Sequence, residues 1–111
     1  MADQDDVRRL ALAQPEAVEQ PHFDRTSFRV RGKIFVTMVL GDGRANLTLA
    51  PDHAAELADT EGEAVTPIVW GSLKGRVAVE LAALRPGLLE RLIPLAWSQV
   101  APKRLLQGRG A

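Results

Sequence analysis

Residues 26–49 constrain the fold more than any other part of the chain. Three runs of strand character follow one another there: "SFRV" (27–30), "KIFVTMVL" (33–40) and "ANLTLA" (45–50). Two glycine turns separate them, Arg31-Gly32 and "GDG" at 41–43. Glycine accepts the positive φ that tight hairpin turns demand. Phe28 and Val30 alternate with Arg29 and Arg31, so apolar and cationic side chains point to opposite faces. The second run is almost continuously apolar and rich in β-branched and aromatic residues, which fits a strand covered at least in part on both faces. The pattern predicts a three-strand antiparallel meander.

Helices and a second hairpin surround it. "DQDDVRRLALAQ" predicts a short helix with Asp3 as N-cap, Asp5 and Asp6 in the first turn, and an apolar stripe of Val7, Leu10 and Ala11. "QPEAVEQPHFD", with two prolines, reads as a connector. "PDHAAELAD" predicts a helix opening on Pro51, with Asp52 in its first turn. "VTPIVW" is a strand interrupted by Pro67, which marks an edge or a bulge. "GSLKG" is a turn, and "RVAVEL" a strand with Val77, Val79 and Leu81 on one face. From Pro86 the end is helical, with an apolar stripe of Leu88, Leu89, Leu92, Ile93, Leu95 and Ala96. Pro94 predicts a kink or a break into two helices, and Pro102 poses the same problem before "KRLLQ".

The expected class is therefore α+β. An antiparallel sheet, made of the three-strand meander plus a two-strand hairpin, packs against N-terminal, middle and C-terminal helices. Phe28, Val30, Ile34, Val36, Leu47, Leu49, Val77 and Val79 should be buried on one sheet face, under the terminal helix.

At 111 residues the chain has the size of one domain with a modest core. It holds no cysteine, which excludes disulfides, thiolate zinc sites and a cysteine nucleophile. Its apolar stretches are too short to span a membrane. The acidic, polar start "MADQDDVRRL" does not resemble a secretory signal, so a cytoplasmic location is expected. The formal net charge is zero, whereas duplex-binding domains are usually basic. The charges are nevertheless segregated. Residues 25–50 hold five bases and one acid, and residues 51–63 hold five acids and no base.

No catalytic constellation emerges. His22 and His53 lie 31 residues apart, and His53 with Glu56 supplies two ligands where a metal site needs more. No base motif adjoins Ser27, Ser72 or Ser98. "GDGR" lacks the GK[ST] ending of a phosphate loop, and a hairpin turn accounts for both glycines. No enzyme activity, metal or cofactor is expected. The basic run Arg25, Arg29, Arg31 and Lys33 is open to two readings: a solvated strand face, or a ribbon that contacts phosphates. Trp70, beside Lys74 and Arg76, is either half-buried packing or a stacking platform. Trp97 reads as core.

Four stretches stand in order: "FRVRGKIFVTM", "LTLAPDHAAEL", a strand ending in Trp70 before "VAVEL", and "LLERLIPLAWSQVAPKRL". In this order and spacing the chain resembles the MmcQ/YjbR-like family over roughly residues 3 to 106. Its Gly-Lys turn corresponds to Arg31-Gly32-Lys33 and its tryptophan to Trp70. The Ser-Tyr of its last helix stands here as Ala96-Trp97, and the two prolines of that region are atypical. The resemblance implies a CyaY-like fold with two projecting β wings, here the hairpins at 28–36 and 68–79, and a non-enzymatic DNA-binding role. On that reading Arg29, Arg31, Lys33, Lys74 and Arg76 contact phosphates, Trp70 packs near the backbone, and Lys103 and Arg104 add charge. The implied partner is DNA, bound weakly and largely without sequence preference. The alternative is a protein-interaction module or small homo-oligomer that binds no nucleic acid.

Overall fold

The computed structural model describes residues 2–68 and 75–105. The chain runs α1 (Gln4–Leu12), β1 (Val18–His22), β2 (Arg25–Val30), β3 (Lys33–Met38), β4 (Arg44–Thr48), α2 (Pro51–Thr60), β5 (Val65–Pro67), β6 (Arg76–Glu80), a 3₁₀ turn (Leu81–Ala83) and α3 (Leu89–Val100). One six-stranded sheet has the order β1-β2-β3-β4-β6-β5, and each paired strand is antiparallel to its neighbour. The meander and the hairpin are thus a single sheet, joined where β4 pairs with β6.

Two expectations about the sheet differ from the observed pairing. The first is the connector at 14–24, which contains a strand. Val18 to His22 pairs along β2 from Val18↔Arg29 to His22↔Arg25. Pro21 is tolerated because β1 is an edge strand, where a missing N–H costs no ladder bond on the open side. The second is the inward face. Phe28 pairs with Val36, but Arg29 pairs with Ile34, so Phe35 is an extra residue in β3. This bulge turns both Phe35 and Val36 inward and moves Ile34 to the face of Arg29. Phe35 and Val36 are fully buried, while Ile34 is only half-buried. The other seven residues expected inside are buried.

The inward face is covered mainly by α3, which packs on β3 and β4, and by α1, which packs on α3. Trp97 of α3 is fully buried, and its indole N–H donates to the Pro15 carbonyl at 2.9 Å. This ties the α1–β1 connection to the last helix. Helix α1 begins with a reciprocal cap: the Asp6 N–H donates to the Asp3 carboxylate at 2.9 Å, and the Asp3 N–H donates to Asp6 at 3.1 Å. The N–H given by Asp3 holds the Asp6 carboxyl below the usual carboxylate range, and Arg9 adds to the effect.

The terminal helix starts three residues later than expected. Pro86-Gly87 forms a turn, with Gly87 at φ 84°. The helix is not broken at Pro94; one element runs from Leu89 to Val100. Proline there denies a hydrogen bond to the Glu90 carbonyl. Glu90 is exposed, so water can satisfy that carbonyl. Leu89, Leu92, Ile93, Ala96 and Trp97 are all buried on the same helix, and tertiary packing of such a face outweighs a local propensity cost. Ala101 leaves the helix in an extended conformation (φ −70°, ψ 142°), as a residue before proline prefers.

Candidate nucleic-acid interface

The register fixes which side chains share the face away from the helices. Ser27, Thr37, Asn46 and Ala78 lie in a cross-strand row. Arg25 and Arg29 of β2, Arg44 of β4 and Arg76 of β6 share this side by alternation. Among the described residues the only acid that the strands place on it is Glu80, opposite Arg44. The remaining side chains on it are mixed: Thr48 and Thr66 are small and polar, Gln20 and His22 are larger polar groups, and Val18 and Ile34 are apolar. Strands lie about 4.8 Å apart, so β2 and β6 place their arginines about 14 Å apart across the face.

Each arginine has its own setting. Arg29 Nε donates to Ser27 Oγ at 2.9 Å, and Nη2 lies 3.4 Å from Nδ1 of His22. Ser27 in turn donates to the Gln20 carbonyl at 2.8 Å. The guanidinium is thus held flat along β2 toward β1. Arg44 Nε donates to Glu80 Oε2 at 2.8 Å, and its backbone N–H donates to Asp42 at 2.9 Å. Arg25 lies 3.7 Å from Asp24 in the adjoining turn, a pair with Asp24 largely in water that contributes little. Arg25 and Arg44 line one hollow of about 180 Å³ over the row Thr37, Asn46 and Ala78. The hollow is lined by two arginines, a threonine and an asparagine, whose donors suit phosphate oxygens, and by Asp42, whose carboxylate opposes them.

Among the described residues, the other cations named from the sequence do not join this face. Arg31 and Arg104 both meet Glu16, at 3.3 and 3.0 Å. Lys33 is exposed beside the β2–β3 turn, where it pairs with Val30, and Lys103 is exposed in the helical turn at 103–105. Trp70 and Lys74 lie outside the described residues. Of the eight proposed contacts, the structure brings Arg29 and Arg76 to the face. Arg25 and Arg44, absent from that set, stand on it beside them. Arg25 was visible as part of the basic run, but its place could not be read without β1. Arg44 is brought there by β4–β6 pairing, which no local pattern encodes.

The acids mostly lie elsewhere. Asp3, Asp5 and Asp6 belong to the start of α1, and the five acids of 51–63 sit on α2 and the turn after it. Glu19 points to the helix side, where Arg8 Nε and Nη2 reach its two oxygens at 3.0 and 3.1 Å and Thr26 donates at 2.7 Å. The Arg8 guanidinium, with the Thr26 hydroxyl, holds the Glu19 carboxyl below its ordinary value. No group of three or more metal-ligating side chains converges among the described residues, and no helix among them is long and apolar enough to cross a membrane.

The family model described as YjbR matches residues 12–99. The chain belongs to the YjbR family. The match takes in all six strands, both long sheet faces and nearly all of α3. A solved structure with the same architecture is the crystal structure of Deinococcus radiodurans protein DR2400, described with the domain DUF419. It superimposes with a TM-score of 0.81 at 20% identity, covering 99% of this chain and 89% of that one. At that identity the likeness is one of fold. No curated protein matches the sequence.

Proposed function

We propose that this YjbR-family chain is a non-enzymatic nucleic-acid-binding protein that lays the polar face of its sheet on a phosphate backbone. The observation that carries the reading is the segregation of charge. Four arginines share one sheet face with one acid, while the chain as a whole is neutral. Electrostatic attraction follows local potential rather than net charge. Asp24 and Asp42 border the face and Glu80 sits on it, so binding is weak. Arginine-to-phosphate contacts carry no base information, so binding is also largely independent of sequence.

The alternative, a protein-interaction module or small homo-oligomer using an exposed sheet face or the terminal helix, has less to support it at that helix. Helix α3 spends its apolar side chains on the core and leaves only Leu95, 37% exposed, toward solvent.

A backbone NMR titration with a short DNA duplex separates the two. Shifts confined to Ser27, Thr37, Asn46, Thr48 and Ala78 are expected. Shifts confined to α1 and α3, or none at low salt, would contradict the proposal.

A further inference from the structure

Phe23 stands where the fold gives no reason for a phenylalanine. It occupies the two-residue turn between β1 and β2, flanked by the paired His22 and Arg25. It is 95% exposed and adopts φ 59°. A bulky side chain in this region of backbone space is a steric outlier, and Gly, Asn or Asp fill such turn positions at lower cost. The ring leans edge-on against His22, with centroids 4.9 Å apart and an interplanar angle of 64°. The turn therefore combines backbone strain with an apolar ring held in water. Strain of this kind collects at functional sites.

The surroundings point to a ligand. Arg25 follows the turn on the arginine face, and the Arg29 guanidinium is drawn back to within 3.4 Å of His22. Two cationic groups thus stand at the foot of an exposed aromatic tip. Asp24, with its side chain 82% exposed, is the other residue of the turn. A carboxylate there disfavours insertion into lipid or a dry protein pocket, whereas stacking on a base leaves it in water.

From this geometry we infer that Phe23 is a base-stacking residue, and that the ligand of the arginine face is single-stranded nucleic acid. The inference rests on the proposed function above and narrows it. Every base presents a π face to an aromatic ring, and stacking combined with a basic track is the general mode of single-strand binding. In a duplex those faces are already stacked, and reaching one requires a distortion that a single strand does not.

The test is fluorescence anisotropy with a labelled oligothymidylate and with a duplex of the same length, on the full chain. The wild type should bind the strand more tightly than the duplex. Phe23→Ala should lose about tenfold on the strand, little on the duplex, and keep the same salt slope, because no phosphate contact is removed. Phe23→Trp should retain binding. Phe23→Gly should melt at or above the wild-type temperature, since it relieves strain and removes no buried contact. Wild-type affinity in Phe23→Ala, with weaker binding in Arg25/Arg44→Gln, would overturn the stacking role and leave the arginine face standing. No binding of either polymer by the wild type would overturn both. A lower melting temperature for Phe23→Gly would make Phe23 structural and also end the inference. So would cosedimentation with anionic vesicles that Phe23→Ala abolishes.

Discussion

At the scale of single residues, the backbone imposes the sharpest demands. Arg31 and Gly32 both have positive φ, 51° and 81°, as the two central positions of a type I′ hairpin turn require. The Arg-Gly pair signals that turn in the sequence. Gly75 was legible only as part of a turn, yet it is the more constrained glycine. It lies at φ 88°, and a Cβ there would run into the Leu49 carbonyl oxygen. The Leu49 N–H donates back to the Gly75 carbonyl at 2.8 Å, so the two backbones are locked where β6 begins and α2 is about to start. Gly75→Ala should cost about 3 kcal/mol or more through strain and overpacking, measured as a fall in the chemical denaturation midpoint. Unchanged stability would mean that the close approach is relaxed in solution. Gln4 shows the opposite case, a residue with no visible signal. Its amide N–H groups lie 2.9 to 3.0 Å from the Val39 and Arg44 carbonyls and the Asp42 carboxylate, and its oxygen accepts from the Gly41 N–H at 2.9 Å. One glutamine on α1 thereby clasps the β3–β4 turn, and contacts between residues 35 to 40 positions apart leave no trace in local pattern.

At the scale of elements, the strands of the meander were legible because alternation and turn chemistry agree over 26–49. Strand β1 was not, because Pro15 and Pro21 read as a connector and because edge strands tolerate what central strands reject. The bulge at Phe35 was invisible for a related reason. A continuously apolar strand has no polar alternation that a one-residue slip would disturb. Helix α3 passes through Pro94 because five buried side chains outweigh one lost hydrogen bond. Between elements, the Arg8–Glu19 pair docks α1 on β1 and makes a prediction about acid. The Glu19 carboxyl titrates below its ordinary value of 4.5 in the folded state. The unfolded chain therefore takes up a proton first as pH falls. The stability contributed by the pair is complete above the ordinary value and is lost as pH drops through the lowered one. Glu19→Gln should cost about 1 kcal/mol at pH 7 and should flatten the loss of stability between neutral and acidic pH, read from urea midpoints. An equal acid dependence in both proteins would assign the effect to other carboxylates, Asp6 of the α1 cap among them.

At the scale of the whole molecule, zero net charge conceals a polar arrangement. The five acids of 51–63 gather on α2 and the turn after it, while Arg25, Arg29, Arg44 and Arg76 gather on the open sheet face. The sequence shows the charge blocks, but only the strand order 1-2-3-4-6-5 decides which of them face the same way. It also separates the named cations, since Arg31 and Arg104 meet at the single Glu16 carboxylate instead of standing on that face. The central claim is that the arginine face, and not the hairpin turn, meets the phosphates. The most direct measurement is the salt dependence of duplex DNA affinity. Each neutralised duplex phosphate contributes a slope of about −0.9 in log K against log salt. Replacing Arg25, Arg29, Arg44 and Arg76 by Gln keeps most of each side chain's bulk and removes the charge. The account predicts that this variant, once circular dichroism shows it folded, flattens the slope by up to about 3.6, while Arg31/Arg104→Gln leaves the slope as it is. An unchanged slope in the fourfold variant, or a flattened one in Arg31/Arg104→Gln alone, would contradict it.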